Sequence, residues 1–113
     1  MVKIIVCTVR KPGMSHEEFD RYWRNQHAAV IKSVPEFTRH VRNYVQCHLA
    51  ARDTPFLAAG PYDGVAELWF DDQAAMHAAF IEPRYLEVIR ADELKFVDME
   101  RTVSLVTDEL EVI

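Results

Sequence analysis

Between Met14 and Phe37 the chain reads MSHEEFDRYWRNQHAAVIKSVPEF, and its apolar positions recur with helical spacing. Phe19, Trp23, Val30, Ile31 and Val34 share one face at about 100° per residue. Tyr22, Gln26 and His27 border that face. Ser15 and Glu18 stand at the spacing of a capping box, in which each side chain satisfies a backbone N–H left free by the first turn. Glu17, Glu18 and Asp20 set negative charge against the positive end of the helix dipole. Pro35 stops the pattern, because it has no amide hydrogen and biases Val34 away from helical geometry. The stretch therefore predicts one long amphipathic helix lying on a flat apolar surface, with His27 pointing into the seam.

The remaining pattern supplies that surface. Residues 2–9, VKIIVCTV, are almost continuously apolar and β-branched, which predicts a strand buried on both faces. Arg10 to Gly13 form a turn signal. Residues 38–49 alternate, with Val41, Val45, Cys47 and Leu49 on one face and His40, Arg42, Tyr44, Gln46 and His48 on the other. Residues 50–63 contain Pro55, Gly60 and Pro61 and predict a long loop, of a length that in small domains often covers a site. Gly64 to Phe70 predict a third strand, apolar on both faces, with Glu67 as its one charge. Asp71 or Asp72 caps a second helix through Ala75, Met76, Ala79 and Phe80, and Pro83 starts a further helical turn over PRYLEVIR. Residues 92–98 read as a connector, residues 101–107 as a last strand, and DELEVI as a tail that can extend it. The order is β-α-β-β-α-β, the ferredoxin-like α+β arrangement, with two helices on one face of a four-stranded antiparallel sheet. Strands one and three are apolar on both faces, and the chain has no further element to cover the second face. A homodimer packing sheet against sheet is the simplest cover.

Composition narrows the class without changing the fold. The 113 residues make one domain, 1–113, with 50% hydrophobic and 27% charged positions, as in ordinary soluble proteins. No run is long and apolar enough to span a membrane, and the N-terminal stretch has no small-residue cleavage site. Cys7 and Cys47 fall inside predicted strands and read as small buried hydrophobes in a reducing compartment, with the cytoplasm as default. A net charge of −5 argues against a nucleic-acid or membrane-surface partner. Within it, residues 1–52 carry nine basic and four acidic side chains, and residues 53–113 four basic and fourteen acidic. A solvated mixed surface is the plain reading of that asymmetry.

The stretches KPGMSHEEFDRYWRNQHAAVI, YDGVAELWF, ADELKFVD and LVTDEL, in this order and spacing, resemble the EthD family of the dimeric α+β-barrel superfamily. The most specific parts are FxxYWxxxH at Phe19 to His27 and DGVAELWF at Asp63 to Phe70. The chain is also similar to small methylmuconolactone isomerases, which share an MSHE-type helix start and a comparable third strand. The resemblance implies the fold and a homodimer. It leaves the reaction open, because the superfamily includes cofactor-independent monooxygenases, polyketide cyclases, muconolactone isomerases and haem-degrading enzymes.

His27 is the first candidate for chemistry, since an imidazole can give or take a proton near neutral pH. A core histidine satisfied by backbone or water fits the same position, and the family's helix histidine tips the reading toward function. Tyr44 and His48 surround a ligand with His27 if their strand face meets the helix, and are interface residues if it meets a partner. Glu67, a charge in an apolar strand, must be paired or belong to a site. Trp23, Trp69, Phe70 and Tyr85 offer apolar walls, and Asp63 and Asp98 a pocket rim or turn caps. There is no GxSxG elbow, no P-loop, no dinucleotide fingerprint and no CxxC or HExxH pair, so neither cofactor nor metal is expected. These residues together suggest a cofactor-free enzyme doing isomerase, lyase or cyclase chemistry on a small, oxygenated, mostly apolar substrate. A non-enzymatic ligand-binding dimer and a cofactor-independent monooxygenase are the alternatives.

Overall fold

The computed structural model describes all residues from Met1 to Ile113. Strand β1 is Val2–Thr8. Helix α1 covers residues 16–32, α-helical over His16–Tyr22, π-helical over Trp23–His27 and α-helical again over Ala28–Lys32. A short helix α2, Pro35–Thr38, leads to β2, Asn43–His48, and β3, Gly64–Phe70. Helix α3 is Gln73–Phe80, and α4 covers residues 85–93, π-helical over Tyr85–Arg90 and α-helical over Ala91–Glu93. Strand β4, Val103–Thr107, completes one antiparallel sheet in the order β2-β3-β1-β4. This is the ferredoxin-like α+β fold that the pattern predicts.

Each local start has its cause in the sequence. The Ser15–Glu18 capping box forms in both directions, and Asp72 caps α3 by accepting from the Ala75 N–H at 2.8 Å. Pro35 ends α1 as expected but also opens α2, occupying a first-turn position where its missing donor costs nothing. That turn shortens the expected strand at 38–49 to Asn43–His48. The amides of His40 and Val41 bond back to Phe37 and Thr38, so residues 38–42 finish the turn. The presumed connector at 92–98 is partly structural too. Asp92 and Glu93 close α4, and Phe96 to Asp98 run beside the end of β1, where Arg10 and Val97 form an isolated bridge. The tail does not extend β4, since residues 108–113 carry no strand.

All helices pack on one face of the sheet. Phe19, Trp23, Ile31 and Phe37 from α1 and α2, with Val34 between them, meet Ala66, Leu68 and Phe70 from β3, with Tyr85, Ile89 and Phe96 closing the far side. Gly64 has a specific task in this packing. A Cβ there would collide with the six-membered ring of Trp23, so only glycine lets the indole sit against the backbone of β3.

The other face of the sheet has no cover. By register, Ile5, Cys7, Val45, Cys47, Val65, Val103 and Leu105 lie on it, together with the Lys3–Glu67 ion pair at 3.7 Å. The cysteines are therefore not buried as the sequence suggests. Cys7 is half-buried and Cys47 exposed, because nothing in a single copy of the chain lies over them. Only Glu109 of the tail reaches this face, accepting from Trp69 Nε1 and pairing with Lys3. No helix is long and apolar enough to cross a membrane.

Candidate active site

The imidazole of His27 stands at the end of the π-helical turn in α1. The hydrogen bonds of that turn close i→i+5, so the residues that follow are rotated relative to a regular helix, a distortion frequent at functional sites. Gln26 turns to solvent, while His27 is 3% exposed in the seam between α1 and the sheet. Gln46 of β2 steadies the turn by donating from Nε2 to the Trp23 carbonyl at 3.0 Å.

His27 Nδ1 lies 2.7 Å from Asp92 Oδ2, and both side chains are buried. Tyr22 O–H donates to the other Asp92 oxygen at 2.5 Å. Asp92 thus accepts on both oxygens, which places the hydrogen of the neutral imidazole on Nδ1 and the lone pair on Nε2. Burial, followed by the Asp92 hydrogen bond and charge, pushes the Tyr22 phenol up to about 12, so it remains a donor. The Phe96 ring packs on the His27 ring at 4.9 Å and on Tyr22 at 5.0 Å, fixing the imidazole plane. Nε2 makes no hydrogen bond to the protein. No side-chain polar atom of the molecule is both sealed in and unpartnered, so Nε2 must open onto the cavity that its ring lines.

That cavity, about 320 Å³, lies between the helices and the sheet. Its walls are mostly apolar, including Ile4, Val6, Trp23, Ile31, Leu68 and Ile89, and its rim includes Met99, Thr102 and Ser104 before and within β4. The polar groups that line it, besides His27, are few. Tyr44 comes from β2, and burial raises its phenol above the ordinary value, so it too stays protonated. Tyr85, Arg90 and Glu93 come from α4. Glu93 accepts from Tyr85 O–H at 3.0 Å and from Arg90 Nε at 3.0 Å, and the guanidinium stands 5.6 Å from the Tyr85 ring. No three His, Cys, Asp or Glu side chains are placed to hold a metal ion.

The structure thus gathers His27, Tyr44, Trp23 and Tyr85 around one cavity and separates the other candidates from it. His48 shares the helix-facing side of β2 but sits behind Trp23, 4.5 Å from its ring, with Nδ1 on Asp20 and Nε2 on Gln46 Oε1. Glu67 and Trp69 lie on the open face, because their odd positions in β3 point away from the helices. Glu67 answers its burial by pairing with Lys3. Phe70 is fully buried in the core near Phe80, outside the cavity wall. Asp98 is a turn cap, accepting from the amides of Glu100 and Arg101. Asp63 caps nothing of its own turn. It is buried and accepts from the Arg10 amide, Arg10 Nη1 and His16 Nδ1. Burial alone would raise its carboxyl, but these donors hold it below the usual aspartate range.

Sequence reasoning missed Asp92, Tyr22, Glu93 and Arg90. Their signal was present in ADELKFVD, which stands out as a motif yet carries no periodicity. A charged residue in such a stretch is informative only once its helix face is known.

The family-wide sequence model of the EthD domain matches residues 11–100. Among characterised proteins, the chain is 26% identical to the conidial pigment biosynthesis dehydratase EthD of Metarhizium robertsii, over 88% of this chain and 75% of that protein. It is 24% identical to the dehydratase aurZ of Gibberella zeae, over 94% of this chain and 75% of that protein. Among solved structures, an ethyl tert-butyl ether degradation (EthD) family protein from Bacillus halodurans superposes with a TM-score of 0.72 at 19% identity, covering 97% of this chain and 99% of that one. The matched span includes the π-helical turn, His27, Asp92 and the strand that seats Trp23, and the chain belongs to the EthD family.

Proposed function

We propose that this protein is a cofactor-free acid/base enzyme of the dehydratase kind, acting on a small, oxygenated, mostly apolar molecule. The observation that carries the reading is His27, with Nδ1 held by a buried carboxylate and Nε2 free in a largely apolar cavity. An imidazole oriented in this way is prepared to abstract a proton. In a β-hydroxy carbonyl substrate, Nε2 takes the proton from the carbon next to the carbonyl. The electron pair forms the new C=C bond as the C–O bond breaks, and the departing hydroxyl leaves as water with a proton from the imidazolium or the Tyr44 phenol. Asp92 supports the positive charge that develops on His27. Tyr44 and the Arg90–Glu93–Tyr85 group orient the oxygen functions. The two fungal dehydratases among the relatives support this kind of reaction for the chain.

The test is His27→Gln, assayed on a panel of cyclic β-hydroxy ketones by the loss of water in mass spectrometry. The variant is expected to fold as the parent does and to lose about 10²–10⁴-fold in activity, the usual contribution of a positioned base. Full activity in a folded His27→Gln protein would sink the assignment.

The same reading makes the working unit a homodimer. Val45, Val103 and Leu105 are 37%, 44% and 52% exposed on the uncovered sheet face, and a second copy packed there would bury them. Sedimentation is expected to give a dimer at micromolar concentration, and a stable folded monomer would contradict it.

A further inference from the structure

The basic surplus of residues 1–52 has a structural counterpart that acid/base chemistry in the cavity does not use. Beside the end of β1 lies a groove of about 420 Å³ lined by Arg10, Lys11, Arg52 and Arg101, brought together from three separate segments. The one carboxylate in its wall is Asp63, and its oxygens are already occupied by three hydrogen bonds from Arg10 and His16. Four basic residues therefore border a groove whose one anion is committed, on a protein whose net charge is −5.

Arg10 is a built element of the groove rather than a loose surface cation. Its Nε donates to the Met14 carbonyl at 2.8 Å and its Nη1 to the buried Asp63 at 2.7 Å, while Nη2 makes no hydrogen bond to the protein. Lys11 Nζ spends one donor on the Leu94 carbonyl at 3.1 Å. Arg52 has only an exposed contact with Glu17 at 3.3 Å, an interaction of little strength in water. Arg101 has no ion-pair partner. We propose that this groove binds a phosphate-class anion, either free or as the phosphate end of a small molecule. Arginine forks match phosphate oxygens in pairs, and the fixed Arg10 gives the group a preorganised contact. The groove begins where the cavity wall ends. Thr8 and Thr102 line the cavity, their neighbours Val9 and Arg101 line the groove, and the Val9 amide donates to Thr102 Oγ1 at 3.0 Å between them.

The experiment is a titration of the full chain with inorganic pyrophosphate at low ionic strength, followed by amide NMR shifts, with ADP as a second probe. Saturable shifts confined to Arg10–Gly13, Gly60–Asp63 and Arg101 are expected, weakening as salt is added. Arg52→Ala and Arg101→Ala, both at exposed positions, should each weaken binding by about tenfold, the loss of one charge-assisted contact. Arg39→Ala, on a different part of the surface, should leave it unchanged. Tighter binding of ADP than of pyrophosphate marks a phosphate carried on an organic group, and equal binding marks the anion alone; either supports the site. Unsaturable shifts spread over the surface, or binding that survives both groove substitutions intact, would overturn it.

Discussion

Helix α1 contributes one member to each of two histidine–aspartate pairs, and only one of them has the makings of a site. His27 uses Nδ1 on Asp92 and keeps Nε2 for the cavity. His48 uses both nitrogens, Nδ1 on Asp20 and Nε2 on Gln46, and its ring lies tilted against Trp23, outside the lining of the cavity. The side-chain chemistry is the same. The difference is one uncommitted lone pair and the space in front of it, at a position that helical spacing already turns toward the sheet. A paired imidazole is structure; a paired imidazole with a free edge on a cavity can do work.

The comparison can be broken most sharply at Asp92. Asp92→Asn keeps a hydrogen-bonding side chain against His27 but no longer favours the tautomer with its hydrogen on Nδ1. The expected loss is about 10²–10⁴-fold in kcat with the fold retained, read by the same dehydration assay. An unchanged kcat would mean that His27 needs no orientation. At Asp63 the expected effect is on stability. Asp63→Asn removes the charge that accepts from Arg10 and His16, and should cost roughly 1.5–3 kcal/mol in chemical denaturation. Its pH dependence has a fixed sign. The folded carboxyl is held below its ordinary value of 3.8, so its stabilisation is complete above that value and disappears as pH falls through the depressed folded one. The variant should therefore lose less stability than the parent across that acid range, and parallel curves would contradict the assignment. The smallest effect is expected at the second pair. His48→Gln should lower stability by about 1 kcal/mol, one hydrogen bond's net worth, and leave kcat where it was. A large fall in kcat there would erase the distinction between the pairs.

The legible part of this molecule is what periodicity reports. The strands of residues 2–9 and 64–70, the capped helix starting at Ser15 and the Asp72 cap all follow from local spacing, and together they suffice for the ferredoxin-like order. His27 was legible for the same reason, being the imidazole on an apolar stripe. Asp92 and Glu93 were not, because a partner 65 residues away in sequence leaves no trace in local pattern. Glu67 shows the opposite failure. Its isolation in GVAELWF is a true anomaly, but alternation gives only a shared face, and its partner Lys3 lies across the sheet on the face away from the cavity. The alternation in β2 likewise grouped Tyr44 with His48, and only the position of Trp23 between them decides that one lines the cavity.

Gly64 links the two ends of this arrangement mechanically. Because the Trp23 indole rests where a Cβ would be, the height of α1 above the sheet is set at one point by a single absent carbon. The helix is seated there as on a bearing, and His27 rides one turn farther along the same beam. A methyl group at position 64 would act as a shim, lifting the seated end and altering the clearance beneath the imidazole without touching any residue that bonds to it. The working gap of the cavity is thus gauged from outside its chemistry, by the smallest residue in the strand.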